Sequence, residues 1–337
     1  MSKEKEMIEM IQKHMPKSSM QLNKLFQSDA EIIDFHGKKL VYSIDEFSEE
    51  DMFRYEDPYI LGWNMAVGTI SDIYACGGTP EYYAHSITVN HSCSFEYVEQ
   101  LAMGISDVLK KTGTFFIGGD ISYADVWRYT GSIIGILNDK PILRKGSKIN
   151  DDIFISGEIG SGNIEAALKL YSDYLLSQNN KNMFTLRNKE AYLIRQYCNC
   201  CIDTSDGVYR ALTTISDINK TGYELRGLPY RSDGILLADS LNLPKEMLFV
   251  GECGEYELLF TIDKEKSEVF LENAAEKNLK FYKIGEVREK GIKQLHTDNQ
   301  VIDLGAYHLN ARDYQDKKAY LKDILEFLII EKQEPSL

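Results

Sequence analysis

The segment PYILGWNMAVGTISDIYACGG, from Pro58 to Gly78, carries small and apolar residues on several faces of a helix. Such a helix needs cover on several sides and is therefore predicted to be buried. The segments GKKLVYSID before it and YYAHSITVN after it are typical of strands. We predict a mixed α/β protein in which this helix lies inside, with Asp45 at a strand end and Asp72 well within the helix.

Helices and strands continue to alternate along the 337 residues, a length that suits two domains better than one core. The polar segment NDKPILRKGSKINDD is rich in turn residues and lacks a long apolar period. We therefore predict an N-terminal α/β domain over residues 1–148 and a C-terminal α/β domain over residues 149–337.

The formal charge of −14 argues against a general surface for nucleic acid, whose binding depends on Lys and Arg. No run of about 18 apolar residues occurs, and the chain begins with a charged amphipathic pattern, MSKEKEMIEMIQKHM. The sequence therefore predicts a cytoplasmic protein with neither a nucleic-acid partner nor a membrane association.

Acidic residues recur where strands end or where glycines expose the backbone. The set comprises Asp29, Asp45, Asp120, Asp203 and Asp206, with Asp72 on the buried helix. Each alone is compatible with a cap or a turn. Carboxylates that converge repel one another, however, and such a cluster is tolerated mainly when cations such as Mg²⁺ occupy it. The chain has neither a G-x-x-x-x-G-K-[ST] loop nor a protein-kinase signature, so any nucleotide site must be built through metal ions.

Seven motifs in order carry a resemblance to a known family: SDAEIID, VYSID, LGWNMAVGTISDIYACGGTPEYY, FFIGGD, ILRKGSKINDDIFISGEIG, CIDTSDG and GEYELLFT. The chain resembles thiamine-monophosphate kinase, of the superfamily that includes aminoimidazole ribonucleotide synthetase, over about residues 25–310. The resemblance implies two α/β domains and a homodimer in which the N-terminal sheets of two subunits pair into a barrel. It also implies Mg²⁺ and ATP as cofactors, and direct transfer of the γ-phosphoryl group to thiamine monophosphate.

The resemblance also assigns site residues one by one. The implied Mg²⁺ ligands are Asp29, Ser43, Asp45, Asp72, Asp120, Asp203 and Asp206. The implied ATP contacts are Gly119, Asp120, Arg144 and Ser205.

The family pattern is broken on the acceptor side. Met52 stands where a His is usual, and Gly254 and Glu255 stand where a Glu and an Asp are usual. Ala306 replaces an aromatic residue, although Tyr307 follows it and supplies a ring after a one-residue slip. Met52, Glu255 and Tyr307 are therefore the candidate acceptor contacts.

Three functions remain open at this point. The first is an ATP- and Mg²⁺-dependent kinase of thiamine monophosphate. The second is a kinase or ATP-dependent ligase of the same superfamily with a different small-molecule acceptor. The third is a non-catalytic nucleotide-binding dimer, against which the retained acids weigh.

Overall fold

A computed structural model describes residues 3–48, 57–171 and 182–331. The helices in these ranges are α1 Lys3–His14, α2 Pro58–Ala75, α3 Phe95–Thr112, α4 Ser161–Tyr171, α5 Asn188–Tyr197, α6 Val208–Asn219, α7 Ser232–Ser240, α8 Met247–Val250, α9 Ser267–Glu276 and α10 Lys317–Glu331. The strands are β1 Glu31–Phe35, β2 Lys38–Ser48, β3 Thr79–Val89, β4 Phe115–Tyr123, β5 Arg128–Leu137, β6 Asp152–Ile155, β7 Cys198–Asp203, β8 Gly222–Arg226, β9 Leu258–Ile262, β10 Tyr282–Arg288, β11 Lys293–His296 and β12 Val301–Asp303.

The first five strands form a mixed sheet in the order β1-β2-β5-β3-β4, and β4 lies at its edge. β3 and β4 run parallel, while the other neighbouring strands are antiparallel. α2 packs against β2, β5 and α3. This half of the chain therefore has one sheet face covered by helices.

The remaining strands form a second sheet in the order β12-β11-β8-β10-β6-β9-β7. Its inner residues build a separate core, which the apolar stripe of α10 closes with Tyr320, Ile324 and Leu328. Both sheets and their helices confirm the mixed α/β class predicted from the sequence.

α2 links the two sheets, because it also contacts β7. The indole nitrogen of Trp63 donates to the carbonyl oxygen of Phe184 at 2.8 Å, and Asn64 donates to that of Asn182 at 2.7 Å. Met65 and Ile70 are fully buried, as the all-round apolar pattern predicted. The break between sheets lies between Leu137 and Asp152, while the exact boundary at 148/149 stays a prediction.

No helix in the ranges that the structure describes is long and apolar enough to cross a membrane.

Two glycines allow α2 and α3 to approach closely. A Cβ at Gly62 would lie 2.0 Å from the carbonyl oxygen of Leu101, and a Cβ at Gly104 equally close to that of Tyr59. Any side chain at these positions would force the helix backbones apart.

Gly62→Ala is therefore expected to lower the free energy of unfolding by about 2 kcal/mol or more, because overpacking of this contact cannot be relieved by a rotamer change. Urea denaturation followed by circular dichroism measures the change. Met103→Ala, on the exposed side of α3, is the control and should alter stability by less than about 0.5 kcal/mol. Equal effects of the two substitutions would contradict the proposed helix contact.

Candidate metal and nucleotide site

Three carboxylates from distant parts of the chain converge at one place. Asp29 precedes β1, Asp72 lies near the end of α2, and Asp203 ends β7. One oxygen of each lies within 4.8 Å of the corresponding oxygens of the other two. The structure thus brings together three of the acids predicted from the sequence.

The packing of α2 between the two sheets produces this convergence. The Ser71 hydroxyl donates to Asp203 Oδ2 at 2.7 Å and ties α2 to the end of β7. The Ser43 hydroxyl on β2 donates to Asp72 Oδ2. Each hydroxyl therefore orients one carboxylate from an adjacent element.

The turn after Asp203 adds a local constraint. The hydroxyl of Ser205 donates to Asp203 Oδ1 at 2.9 Å. Gly207 follows with φ +83°, and a Cβ there would lie 2.6 Å from the carbonyl oxygen of Gly251. The Gly in the motif IDTSDG is thus required by both backbone conformation and close packing.

Burial and mutual repulsion perturb the two inner acids. Burial raises the pKa of Asp72 well above its usual range, and the charges of Asp203, Asp29 and Asp45 raise it further. Burial, followed by the charge of Asp29, raises the pKa of Asp203 to about 7. The cluster therefore opposes its own ionisation when no cation is bound.

Arg144 supplies one positive charge to the cluster. Its Nη2 donates to Asp29 Oδ1 at 3.0 Å, and its side chain is largely buried. The backbone N–H of Arg144 donates to the carbonyl oxygen of Gln27, which fixes the linker beside the Asp29 turn. A single guanidinium leaves much of the charge of three carboxylates uncompensated.

The donor set fits a divalent cation. Asp29 Oδ2 is buried and has no hydrogen-bond partner within the described part of the chain. Carboxylate and hydroxyl oxygens are hard ligands of the kind that Mg²⁺ prefers. Asp45 lies on β2 two residues after Ser43, and its charge acts on both Asp72 and Asp203. Asp29, Asp72 and Asp203, with Ser43 and Asp45 nearby, are thus the residues that could hold the ion.

The structure does not bring Asp120 to this cluster. Its strand β4 is three strands from β2, about 14 Å at the usual strand spacing. Cross-strand pairing places four residues in one row across the sheet: Asp120, Ser86, Thr130 and Glu46. Asp45 precedes Glu46 on β2, so it lies in the adjacent row and on the opposite sheet face from Asp120. Gly119 lies beside it, where a Cβ would collide with the His85 ring. Within one chain, a shared metal site for Asp45 and Asp120 is not formed.

Asp206 is also separate from the three converging acids. It is exposed, and its Oδ1 accepts from Arg312 Nη2 at 3.1 Å. Arg312 also forms an ion pair with Glu4 of α1. The predicted metal ligand is therefore held in a surface ion-pair network.

The predicted acceptor contacts are placed unevenly. Tyr307 is buried, and its hydroxyl donates to the carbonyl oxygen of Val250 at 3.3 Å, so its ring belongs to the core. The neighbouring Ala306 is exposed, whereas Tyr307 points inward, and the substrate contact of Tyr307 stays a prediction. Met52 lies outside the described residues.

Glu255 is buried rather than open to a substrate. Both of its carboxylate oxygens accept from the backbone N–H of Gly160, at 2.8 and 2.9 Å, just before α4. Burial raises its pKa to about 8. Its observed contacts therefore stabilise the start of α4, and the expected substrate contact is not visible in them. A Cβ at Gly254 would lie 2.5 Å from the carbonyl oxygen of Ser205, so this backbone has no room for a side chain.

Sequence reasoning missed Ser71 and Arg312. Ser71 adjoins Asp72 in the motif TISDIY, so its position next to a predicted ligand indicated that it lies near the site. Arg312 lies more than 100 residues from Asp206, and nothing in the local sequence indicated that the two would meet.

Comparisons with known proteins agree with the fold. Residues 27–137 match the family model described as AIR synthase related protein, N-terminal domain. A solved structure of AaThiL complexed with AMPPCP and TMP superposes with a TM-score of 0.71 at 25% identity, covering 87% of this chain and 92% of that one. The fold and the acid cluster thus define a protein of the AIR synthase related class.

Two curated relatives narrow the class. The thiamine-monophosphate kinase of Bacillus subtilis (strain 168) is 31% identical over 272 residues, which cover 76% of this chain and 82% of the relative. The thiamine-monophosphate kinase of Methanocaldococcus jannaschii is 28% identical over 254 residues, which cover 69% of this chain and 76% of the relative. The chain belongs to the thiamine-monophosphate kinase family.

The raised pKa of Asp203 predicts how pH affects stability. A folded-state pKa of about 7 lies above the usual value of about 3.9, so the metal-free protein loses stability as pH rises between these values. Millimolar MgCl₂ should therefore raise Tm more at about pH 8 than at about pH 5.5. Differential scanning fluorimetry without nucleotide measures both shifts. Asp203→Asn should make the Tm increases caused by MgCl₂ at the two pH values more nearly equal. An unchanged difference between these increases would contradict the assignment of the pH dependence to Asp203.

Proposed function

We propose that this protein transfers the γ-phosphoryl group of ATP to the phosphate of thiamine monophosphate, giving thiamine diphosphate and ADP. Family membership supports the reaction, as does the AMPPCP and TMP complex of the structural relative. The observation that carries it is the convergence of Asp29, Asp72 and Asp203 around a buried carboxylate oxygen without a partner among the described residues. The need for ATP supports a cytoplasmic location.

The acid cluster would hold Mg²⁺ through Asp29, Asp72 and Asp203, with Ser43 and Asp45 close by on β2. Bound there, Mg²⁺ would neutralise charge on the phosphate groups of ATP. In the transfer, an oxygen of the acceptor phosphate bonds to the γ-phosphorus as the bond to the β,γ-bridging oxygen breaks. This chemistry needs positioning and charge compensation more than covalent help from the protein.

The residues around the cluster have distinct proposed tasks. Arg144 keeps its guanidinium against Asp29 and presents its remaining N–H groups to phosphate oxygens. Ser205 holds Asp203 in place and lies where ATP contact is predicted. Asp206, whose Oδ1 accepts from Arg312, and Asp120 both stay predicted ligands.

A different acceptor is the second candidate, and one observation favours it. No aromatic ring stands at exposed Ala306, Tyr307 is in the core, and Gly254 has no side chain. A kinase or ligase of the same superfamily with another small phosphorylated acceptor accounts for these losses while retaining the acid cluster. The buried acids weigh against a dimer that binds no cation, because their repulsion destabilises an empty site. A non-catalytic nucleotide-binding dimer is distinguished from the kinase by the absence of turnover.

Asp72→Asn tests the phosphotransferase directly. It should lower kcat/KM for thiamine diphosphate formation by on the order of 100-fold or more, because charge compensation at the phosphates is lost. Chromatographic quantification of thiamine diphosphate measures the rate. Asp139→Asn, at an exposed loop position, should leave it unchanged. Absence of product from the unaltered protein at high enzyme concentration would reject thiamine monophosphate as the acceptor.

We also propose that the protein is a homodimer through the edge strand β4. Five large apolar side chains of this strand are 51–66% exposed: Phe115, Phe116, Ile117, Ile121 and Tyr123. An unpaired edge strand with this many exposed apolar groups is a favourable surface for pairing with another chain.

Phe115→Glu should therefore dissociate the dimer, because it introduces an unpaired charge into an apolar contact. Analytical ultracentrifugation at micromolar concentration distinguishes the two states. Phe95→Glu, at an exposed position on α3, is the matched control and should remain dimeric. A monomeric unaltered protein, or a Phe115→Glu variant that stays dimeric, would contradict the assignment.

A further inference from the structure

A groove of about 610 Å³ lies where the end of α2, the start of β3 and α5 meet. The last residue of α3 and the segment that follows α9 complete its walls. None of the three acids that converge on the metal site is among the described residues that line the groove. Pockets for small ligands typically enclose about 300 to 1,000 Å³. The groove is therefore large enough for one small molecule and distinct from the acid cluster.

The inner wall of the groove is apolar. Four of its lining side chains are buried: Tyr74, Pro80, Ala191 and Leu193. Tyr74, Ala191 and Leu193 belong to the same core as α2. Such a wall gains little from contact with water and favours the non-polar face of a ligand. The inner part of the groove therefore suits an aromatic ring.

Tyr192 and Arg195 form a stack in the groove. The guanidinium carbon of Arg195 lies 3.6 Å from the centroid of the Tyr192 ring, and Tyr192 is 57% exposed. The stem of Arg195 lies near the turn after α2, since a Cβ built on Gly77 would be 3.7 Å from Arg195 Cβ. A planar guanidinium stacks on aromatic rings and donates hydrogen bonds from its edge. Arg195 is thus held on one aromatic face and lines a space that a second ring can enter.

The charge of the lining has one sign. Lys189, Arg195 and Lys277 line the groove, and no Asp or Glu is among its described lining residues. None of these three cations forms an ion pair within the ranges that the structure describes. Glu190, next to Lys189, is paired with Arg187 at 2.9 Å instead. In a chain with a formal charge of −14, a groove lined only by cations indicates an anionic ligand.

The two lysines lie beside the stack. Lys189 precedes Tyr192 by three residues on α5, a spacing that puts both side chains on one face of the helix. Lys277 directly follows α9, and both lysines are exposed. A lysine ammonium binds a phosphate group as a point charge. A ligand that carries both a ring and a phosphate group therefore matches the stack and the lysines together.

We propose that this groove is a second ligand site, which binds an aromatic phosphate the size of a mononucleotide. The ring stacks on Arg195 against the apolar wall, and Lys189 and Lys277 bind the phosphate group. Because the lining offers no carboxylate to a cation, the ligand binds without Mg²⁺. The site is independent of the proposed phosphoryl transfer.

Calorimetric titration of the full-length protein with AMP in the presence of EDTA tests the site. Chelation removes Mg²⁺ from the acid cluster, and AMP has no γ-phosphoryl group to transfer. Adenosine is the matched ligand without the phosphate. We expect AMP to bind about tenfold or more tightly than adenosine, because only AMP accepts hydrogen bonds from the lysines through a charged group.

Arg195→Gln tests the ring contact. It should weaken both AMP and adenosine by about fivefold or more, because it removes the planar cation on which the ring stacks. Arg226→Gln, at an exposed arginine that is paired with Glu224, is the matched control and should change neither affinity.

Lys277→Gln tests the phosphate contact. It should weaken AMP by about fivefold or more and leave adenosine unchanged, because only AMP loses a charged hydrogen-bond donor. Lys290→Gln, at an exposed position between β10 and β11, is the matched control and should change neither affinity. Lys189→Gln repeats the test from α5 and serves if Lys277→Gln alters the fold.

The outcomes separate this site from the acid cluster. Unchanged AMP and adenosine affinities in Arg195→Gln overturn the ring contact, and unchanged AMP affinity in both lysine variants overturns the phosphate contact. A change of AMP affinity in Asp72→Asn, together with normal binding by Arg195→Gln, places AMP at the acid cluster and overturns the groove. Failure of the unaltered protein to bind AMP in EDTA overturns the site, whatever its activity on thiamine monophosphate.

Discussion

The repulsion among Asp29, Asp72 and Asp203 is the constraint around which the surrounding structure is organised. Burial and the neighbouring charges raise the pKa of Asp72 and of Asp203, and ionisation of these two acids destabilises the folded chain. Ser43, Ser71 and Ser205 compensate by donating hydrogen bonds, and Arg144 contributes a buried positive charge. This compensation is incomplete, since one oxygen of Asp29 lacks a partner among the described residues. Such a site lowers the stability of the cation-free protein, and binding of a cation is favoured because it relieves the repulsion.

Much of the fold and the centre of the site could be predicted from sequence because the signals were local. An all-round apolar pattern fixed the burial of α2, and Asp203 was visible as the terminus of β7. The predicted strand end at Asp45 is wrong, because β2 continues to Ser48. Asp72 could be grouped with these two acids because its helix had to pack between strands. The family resemblance supplied the order of motifs and the nucleotide chemistry.

Other parts depended on information that short motifs do not contain. The position of Asp120 is set by the pairing register of β3, β4 and β5, and a shift of one residue reverses its sheet face. The inward turn of Tyr307 depends on a core built with Tyr209 and Phe327. The contact of Arg312 with Asp206 joins segments more than 100 residues apart. In each case, tertiary contacts select among local conformations for which the sequence has similar propensity.

The dual packing of α2 has a mechanical consequence. Its inner end presents Asp72 to carboxylates from both sheets, while Trp63 and Asn64 anchor its other end to the chain at Asn182–Phe184. A cation held by Asp29, Asp72 and Asp203 would therefore act as a non-covalent crosslink between the halves of the molecule. Loading the site would therefore also strengthen the packing of α2 between the two sheets.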